Sequence, residues 1–170
     1  SGEEGPADIE VAGAVGCQMV QLCRHLGAEV TATCRNDNRD YVQDLGASRA
    51  IAYDGAEDFG DLRNQDVVFD LIGGDTHTRS YQVLRKGGHL VYLTAAPITD
   101  LSAQYGVRAS RALITDARHV LQAVANLASQ GVLRPRVAAS FVLADAASAH
   151  AALEAGQITR GRVVLDIATS

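Results

Sequence analysis

The stretch that decides the fold is Val11–Val30, "VAGAVGCQMVQLCRHLGAEV". Apolar residues recur there with a helical period up to Leu26, and Gly27 stands where a residue just past a helix end is expected. The run Gly13–Gly16 matches the second half of the phosphate-loop pattern G-x-G-x-x-G, but Val11 stands at its first glycine. The stretch therefore predicts a glycine turn followed by a helix, whose free N–H groups would suit an anion. An ordinary strand-to-helix turn stays open as the alternative.

Strand and helix patterns alternate along the rest of the chain. Ala28–Cys34 is rich in β-branched residues, and Gln65–Gly74 is a near-continuous apolar run typical of a parallel strand buried on both faces. Helical patterns cover Thr76–Arg85 and Asp116–Gly131. This alternation predicts an α/β fold: a doubly wound, Rossmann-like parallel sheet with helices on both faces. The predicted helix N-caps are Asn36 or Asp37, and Asp75 or Thr76.

Composition narrows the function classes. The 170-residue chain is 47% hydrophobic, which suits a globular domain with a real core. Its net charge is −5 and it has no basic run, which argues against nucleic-acid binding. No segment resembles a membrane span or a secretory signal, so we expect neither a membrane partner nor export, and a cytoplasmic location.

Cysteine and histidine spacing predicts no metal site. Cys17, Cys23 and Cys34 form no C-x-x-C pair and are expected to be free thiols. The five histidines are scattered, and none pairs with another His or Cys at metal-ligand spacing. They are expected to be surface groups or hydrogen-bonded core groups: His25, His77, His89, His119 and His150.

The end of the second predicted strand bears on cofactor choice. An acidic residue there would bind the ribose diol of NAD, but this chain has Arg35 after Cys34, and Arg39 one helical turn on. Guanidinium groups suit a 2′-phosphate, which favours NADP(H) over NAD(H). A solvated arginine on a loop is the alternative, and the nearby Asp37 would weaken the attraction.

Five segments, taken together and in order, resemble the medium-chain dehydrogenase/reductase family, in its zinc-free, quinone oxidoreductase-like branch. They extend from about Gly13 to Ile167, nearly the whole chain. They read "GAVGCQMVQLCRHLGAEVTATC", "VQDLGASRAIAYD", "DVVFDLIGGDT", "VLRKGGHLVYLTAA" and "GVLRPRVAASFVLADAASAHAALEAGQITRGRVVLDI".

The resemblance implies an NADP(H)-dependent oxidoreductase that needs no metal and transfers hydride to an enone or quinone. It also implies where the cofactor would lie. The implied contacts are Gly13, Ala14, Val15 and Gly16 for the pyrophosphate; Arg35 and Arg39 for the 2′-phosphate; Ile72 and Gly73 for the nicotinamide ribose; Thr94 and Ala95 for the carboxamide; and Arg162 for the cofactor or active site. No catalytic residue is assigned.

The resemblance also implies a domain organisation. Residues 1–12 are expected to be a flexible start with a weak strand at Ile9–Val11, residues 13–133 a dinucleotide-binding domain, and residues 134–170 a tail that completes an absent N-terminal domain. The tail would then expose apolar surface. Strand 106–114 resembles the edge through which family members form homodimers.

One departure keeps a second function open. Glu10 would put an acid close to the phosphate, where like charges repel. The alternative is a reductase-derived scaffold or dimerisation module that has lost its cofactor, for example as part of a larger synthase.

Overall fold

Helices and strands alternate along residues 13–93 and 97–167, which the computed structural model describes. The predicted strand Ile9–Val11 lies outside these residues. The helices are α1 (Gly16–His25), α2 (Arg39–Asp44), α3 (Gly74–Val83), α4 (Ser102–Tyr105), α5 (Arg118–Ser129) and α6 (Ala146–Glu154). The strands are β1 (Thr31–Cys34), β2 (Arg49–Ala52), β3 (Gln65–Asp70), β4 (Leu84–Tyr92), β5 (Arg108–Arg111), β6 (Val137–Val142) and β7 (Arg162–Asp166).

Contacts group the chain into two compact units. Among the described residues, the first unit comprises 33–36, 51–93 and 97–117, and the second unit comprises 13–32, 37–50 and 118–167. Each unit interleaves distant parts of the sequence. The predicted domain boundary after residue 133 stays a prediction.

The first unit contains a three-stranded sheet in the order β3-β4-β5. Both pairings are parallel, and the register aligns Asp70, Tyr92 and Arg111 at the carboxyl ends of the strands. Parallel strands need a crossover, and α3 supplies it between β3 and β4. The predicted α/β fold with parallel strands is confirmed, and ligands of such sheets bind beyond this carboxyl edge.

Two predictions about this sheet are wrong. Strand β3 is not buried on both faces, because α3 packs on one face while Val67 and Phe69, on the other, are 46% and 39% exposed. The helix predicted to reach Arg85 ends at Val83, because Leu84 already pairs with Gln65 in the parallel ladder.

The second unit joins the glycine-turn helix to the C-terminal strands. Strands β6 and β7 pair in parallel, and Gly13 forms a parallel bridge with Gly161. The buried Gln21 of α1 accepts a hydrogen bond from the Arg134 N–H at 2.9 Å, and its amide donates to the Arg134 carbonyl at 3.4 Å. The tail from residue 134 therefore packs on α1. Several of its apolar side chains are exposed, as expected: Val137, Val142, Leu143, Leu153, Leu165 and Ile167.

The ends of three helices can be compared with the sequence predictions. Helix α1 ends as predicted, with Gly27 at φ +84°, a conformation that glycine adopts without strain. The predicted caps of α2 and α3 are wrong. Asn38 precedes α2 after a short 3₁₀ turn, and Gly73 precedes α3 at φ +90°; neither side chain caps its helix.

The three cysteines are free thiols, as predicted, with Cys17 and Cys34 buried. Within the described residues, no helix has the length and apolar character that a bilayer crossing requires.

The close approach of Gly161 to β6 generates a stability prediction. A Cβ on Gly161 would lie 2.4 Å from the Arg136 carbonyl oxygen, and the residue has φ +80°. Gly156 has a similar φ of +64°, but a Cβ there would meet nothing within 4 Å. Left-handed backbone costs a non-glycine residue roughly 1–2 kcal/mol. We expect Gly156→Ala to lower the free energy of unfolding by about that amount, and Gly161→Ala by clearly more.

Urea denaturation of both variants measures the difference, in which the common backbone strain cancels. Equal losses of unfolding free energy would contradict the close contact between Gly161 and Arg136.

Candidate functional site

The first residues of α1 form one part of the candidate site, in the second unit. The N-cap is Val15, whose side chain has no polar atom to cap the helix. The Cys17 N–H donates to the Gly13 carbonyl at 3.1 Å, so the glycine turn leads directly into the helix. A helix start carries unsatisfied N–H donors and a partial positive charge, which favour a bound anion.

A small pocket opens beside this helix start. It is well below the usual size of a ligand pocket, so it has room for no more than a portion of a dinucleotide. Two arginines are among its lining residues, and their positive charge favours an anion. The lining residues are Ala14, Cys17, Gln18, Pro135, Arg136, Gly161 and Arg162.

Two of the predicted cofactor contacts, Ala14 and Arg162, thus meet in one pocket. Sequence reasoning missed Arg136, because nothing in "RPRVAAS" indicates that the start of β6 lies against α1. The position next to Arg136 also requires a glycine, Gly161. A side chain would collide with the Arg136 backbone, and the Arg162 N–H bonds to the Arg136 carbonyl at 2.8 Å. The residues present fit a diphosphate.

In the same unit, Arg160 holds the turn before Arg39, and Arg136 lies near it over the same tyrosine ring. Arg160 donates to the Asn38 side-chain oxygen at 2.5 Å and also to the Asp37 carbonyl. Arg136 and Arg160 both lie over the Tyr41 ring, at 5.4 Å and 5.5 Å. Burial raises the pKa of the Tyr41 phenol, and the two guanidinium charges oppose that rise. Arg39 begins α2 directly after this turn.

Arg35 belongs to the first unit. It is exposed and directly follows β1. The next residue, Asn36, donates its N–H to the Asp54 carboxylate at 2.7 Å, which holds the backbone of this turn.

The first unit contains a buried polar network at the carboxyl end of β3. The Asp70 Oδ1 atom accepts the N–H groups of Ile72 and Gly73 at 2.9 Å and 2.8 Å. Its Oδ2 atom lies 2.8 Å from Nδ1 of His77, and both side chains are at most 1% exposed. Asp70 thereby holds the loop that leads into α3, which begins at Gly74.

The network continues from His77 along α3. Its Nε2 atom lies 3.3 Å from the Tyr81 hydroxyl, which donates to Asp100 at 3.5 Å. The ring of His77 also meets those of Tyr81 and Tyr92 edge-on, at 5.3 Å and 5.1 Å. Burial raises the pKa of Tyr81, whereas the Ser102 backbone N–H lowers the pKa of Asp100.

His77 is thus a hydrogen-bonded core histidine, one of the two states expected of the histidines. The network was not predicted from the sequence. Two sequence features could have indicated it. The i,i+4 spacing of His77 and Tyr81 puts both on one helix face, and Asp70 stands at a strand end.

Thr94 and Ala95, the predicted carboxamide contacts, lie outside the described residues, as does Glu10. Within the part of the chain that the structure describes, no group of three His, Cys, Asp or Glu side chains could hold a metal ion. The described residues therefore do not fit a zinc site, and zinc independence of the reaction stays a prediction.

Comparison with known proteins points to one family. Residues 45–165 match the family model described as zinc-binding dehydrogenase. A 2-haloacrylate reductase from a Burkholderia species is 31% identical, over 91% of this chain and 53% of its own length.

Solved structures of quinone oxidoreductases resemble this chain as well. A Coxiella burnetii quinone oxidoreductase superposes with a TM-score of 0.82 at 30% identity, covering 90% of this chain and 49% of that one. The Escherichia coli quinone oxidoreductase complexed with NADPH gives 0.79 at 25% identity, with 92% and 55% covered. The chain spans about half the length of the curated relatives it matches.

The two aspartates of β3 make a matched pair for a prediction. Asp70 is buried with three hydrogen-bond donors, whereas Asp66 pairs with Arg85 at 2.5 Å on an exposed surface. Leaving a buried hydrogen-bond donor without its acceptor costs about 1–3 kcal/mol, and Asp70 accepts three donors, whereas an exposed ion pair contributes about 0–1 kcal/mol. We expect Asp70→Ala to lower the unfolding free energy by about 3 kcal/mol or more.

Chemical denaturation of Asp70→Ala and Asp66→Ala checks this. Similar losses in the two variants would contradict the structural role of the Asp70 carboxylate.

Proposed function

This chain belongs to the medium-chain dehydrogenase/reductase family, in its quinone-oxidoreductase-like group, and we propose that it forms the NADP(H)-binding part of an oxidoreductase. The proposed reaction transfers hydride to an enone or a quinone. The observation that carries the proposal is the pocket at the start of α1, where Arg136 and Arg162 face a helix start with no side-chain cap. An anionic diphosphate fits that chemistry.

The residues have separate proposed roles. The turn Gly13–Gly16 offers backbone N–H groups to the diphosphate, with Arg162 neutralising its charge. Arg35 and Arg39 bind the 2′-phosphate, which a basic surface favours. Residues 72 and 73 lie against the nicotinamide ribose, and residues 94 and 95 against the carboxamide. Bound NADPH supplies the hydride from its nicotinamide ring, and the chain positions that ring.

The rest of the acceptor pocket belongs, in this proposal, to a further domain of a longer protein. The segment predicted as strand 106–114 contains β5 (Arg108–Arg111), and homodimer formation through this segment is part of the same proposal. Support comes from β5, which ends the strand order of its sheet, and from Leu113 and Ile114, which follow it and are 94% and 89% exposed. A cytoplasmic location also stays a proposal.

Cofactor titration tests the function. NADPH fluorescence and the melting temperature of the chain are followed as NADPH or NADH is added, and NADPH oxidation is then assayed with a quinone and an enone. We expect micromolar NADPH binding. A folded chain that shows no change with millimolar NADPH or NADH would contradict the proposal and favour the non-catalytic scaffold.

Arg35 and Arg39 are expected to set the preference between the two cofactors. A guanidinium bound to a phosphate forms charge-assisted hydrogen bonds, and losing one costs about 1.4 kcal/mol or more, a factor of about ten in affinity. We expect Arg35→Gln and Arg39→Gln each to weaken NADPH binding about tenfold and to leave NADH binding unchanged. The exposed Arg63, which lies before the amino end of β3, is changed to Gln as the control. Equal weakening of NADPH and NADH would contradict the 2′-phosphate role.

Arg162 is expected to behave differently, because both cofactors share the diphosphate. We expect Arg162→Gln to weaken NADPH and NADH by the same factor, about ten. Arg134→Gln is the matched control, since Arg134 donates to the Gly131 carbonyl and is absent from the pocket lining. An effect of Arg162→Gln on NADPH alone would place Arg162 at the 2′-phosphate instead.

A further inference from the structure

The loop between β3 and α3 depends on one carboxylate for its shape. Gly73 has φ +90° and ψ −158°, which only glycine adopts readily, and no polar side chain of α3 caps the helix start. The N–H groups of Ile72 and Gly73 both point at a single oxygen of Asp70. The orientation of this carboxyl group therefore determines the backbone conformation of the loop.

His77 in turn determines the orientation of Asp70. The second carboxylate oxygen lies 2.8 Å from His77 Nδ1, and neither side chain is exposed enough for water to replace the other. The imidazole is itself confined, because it lies edge-on between the rings of Tyr81 and Tyr92. Without His77, Oδ2 of Asp70 loses its hydrogen-bond partner, and the carboxyl group is oriented only by the two backbone N–H groups on Oδ1.

The loop lies where a cofactor of this fold would meet it. It leaves the carboxyl end of β3, in register with the carboxyl ends of β4 and β5. Ligands of open parallel sheets bind in the crevice beyond these ends. A shift of the Ile72 and Gly73 backbone would therefore change the contacts, and so the affinity, of the part of the ligand that lies against it.

We infer that His77 is a positioning residue for the nicotinamide half of the cofactor, and that it acts by orienting Asp70 and, through Asp70, the backbone of Ile72 and Gly73. The inference rests on the proposed function. His77 does not touch the cofactor. Its hydrogen bond to Asp70 sets the loop, while its contact with Tyr81 serves the packing of α3.

Two substitutions separate those two hydrogen bonds. His77→Asn keeps an N–H donor where Nδ1 lies, toward Asp70, and His77→Gln instead reaches toward the position of Nε2. Both lose the ring contacts with Tyr81 and Tyr92, so both melting temperatures fall. His89→Gln is the control, because His89 is in the same unit but bonds to Ser110.

The readout compares two ligands. NADPH has the nicotinamide half, and adenosine 2′,5′-bisphosphate lacks it while keeping the adenosine and the 2′-phosphate. For NADPH we expect His77→Gln to raise the Kd about tenfold and His77→Asn by about twofold or less. The Kd of adenosine 2′,5′-bisphosphate stays unchanged in both variants, and His89→Gln changes neither ligand.

Three results would overturn the inference and leave the cofactor function standing. The first is equal NADPH affinity in the Asn and Gln variants. The second is equal weakening of both ligands by His77→Gln, which indicates general loss of structure. The third is unchanged NADPH binding in every variant. Wild-type chain that binds neither ligand would overturn the proposed function, and the inference with it.

A wild-type measurement keeps the inference testable should a variant fail to fold. In NMR titrations, the amide signals of Ile72 and Gly73 are expected to shift with NADPH and to stay in place with adenosine 2′,5′-bisphosphate. Identical shifts with both ligands, or none with NADPH while it binds, would overturn it.

Discussion

The Asp70 carboxylate is the group on which the first unit most depends. It is buried at the end of β3 and accepts three hydrogen bonds, two from the backbone and one shared with His77. A buried charge is expensive unless hydrogen bonds compensate for the lost water, and here every donor comes from the following loop or helix. The carboxylate therefore ties strand, loop and helix into one arrangement at the edge where a ligand of this fold binds.

In the second unit, glycine and arginine residues connect a helix start to strands that are distant in sequence. The bridge from Gly13 to Gly161 brings the start of α1 beside the C-terminal strands, and a side chain on Gly161 would collide with the Arg136 backbone just before β6. This close approach puts Arg136 and Arg162 in the same pocket as Ala14. Positive side chains and a helix start then act together on any anion bound there.

The sequence predicted the fold well because the relevant signals are local. The period of α1, the glycine at its end and the β-branched strands are all readable within a few residues. Contacts that depend on folding were missed. Asp75 and Thr76 seemed suitable caps for α3, but the N-cap is Gly73, and the N–H of Gly73 bonds to Asp70 of the preceding strand. Likewise, the apolar composition of β3 did not reveal that Val67 and Phe69 would stay partly exposed.

Amide hydrogen exchange in the ligand-free chain tests the central claim most directly, because it reports on the two N–H groups that Asp70 accepts. If the carboxylate holds the loop, the Ile72 and Gly73 amides exchange far more slowly than those of the exposed residues 115 and 116, at rates approaching those of β4. Exchange at exposed-loop rates, with β4 still protected, would show that the loop is not held and would contradict the account.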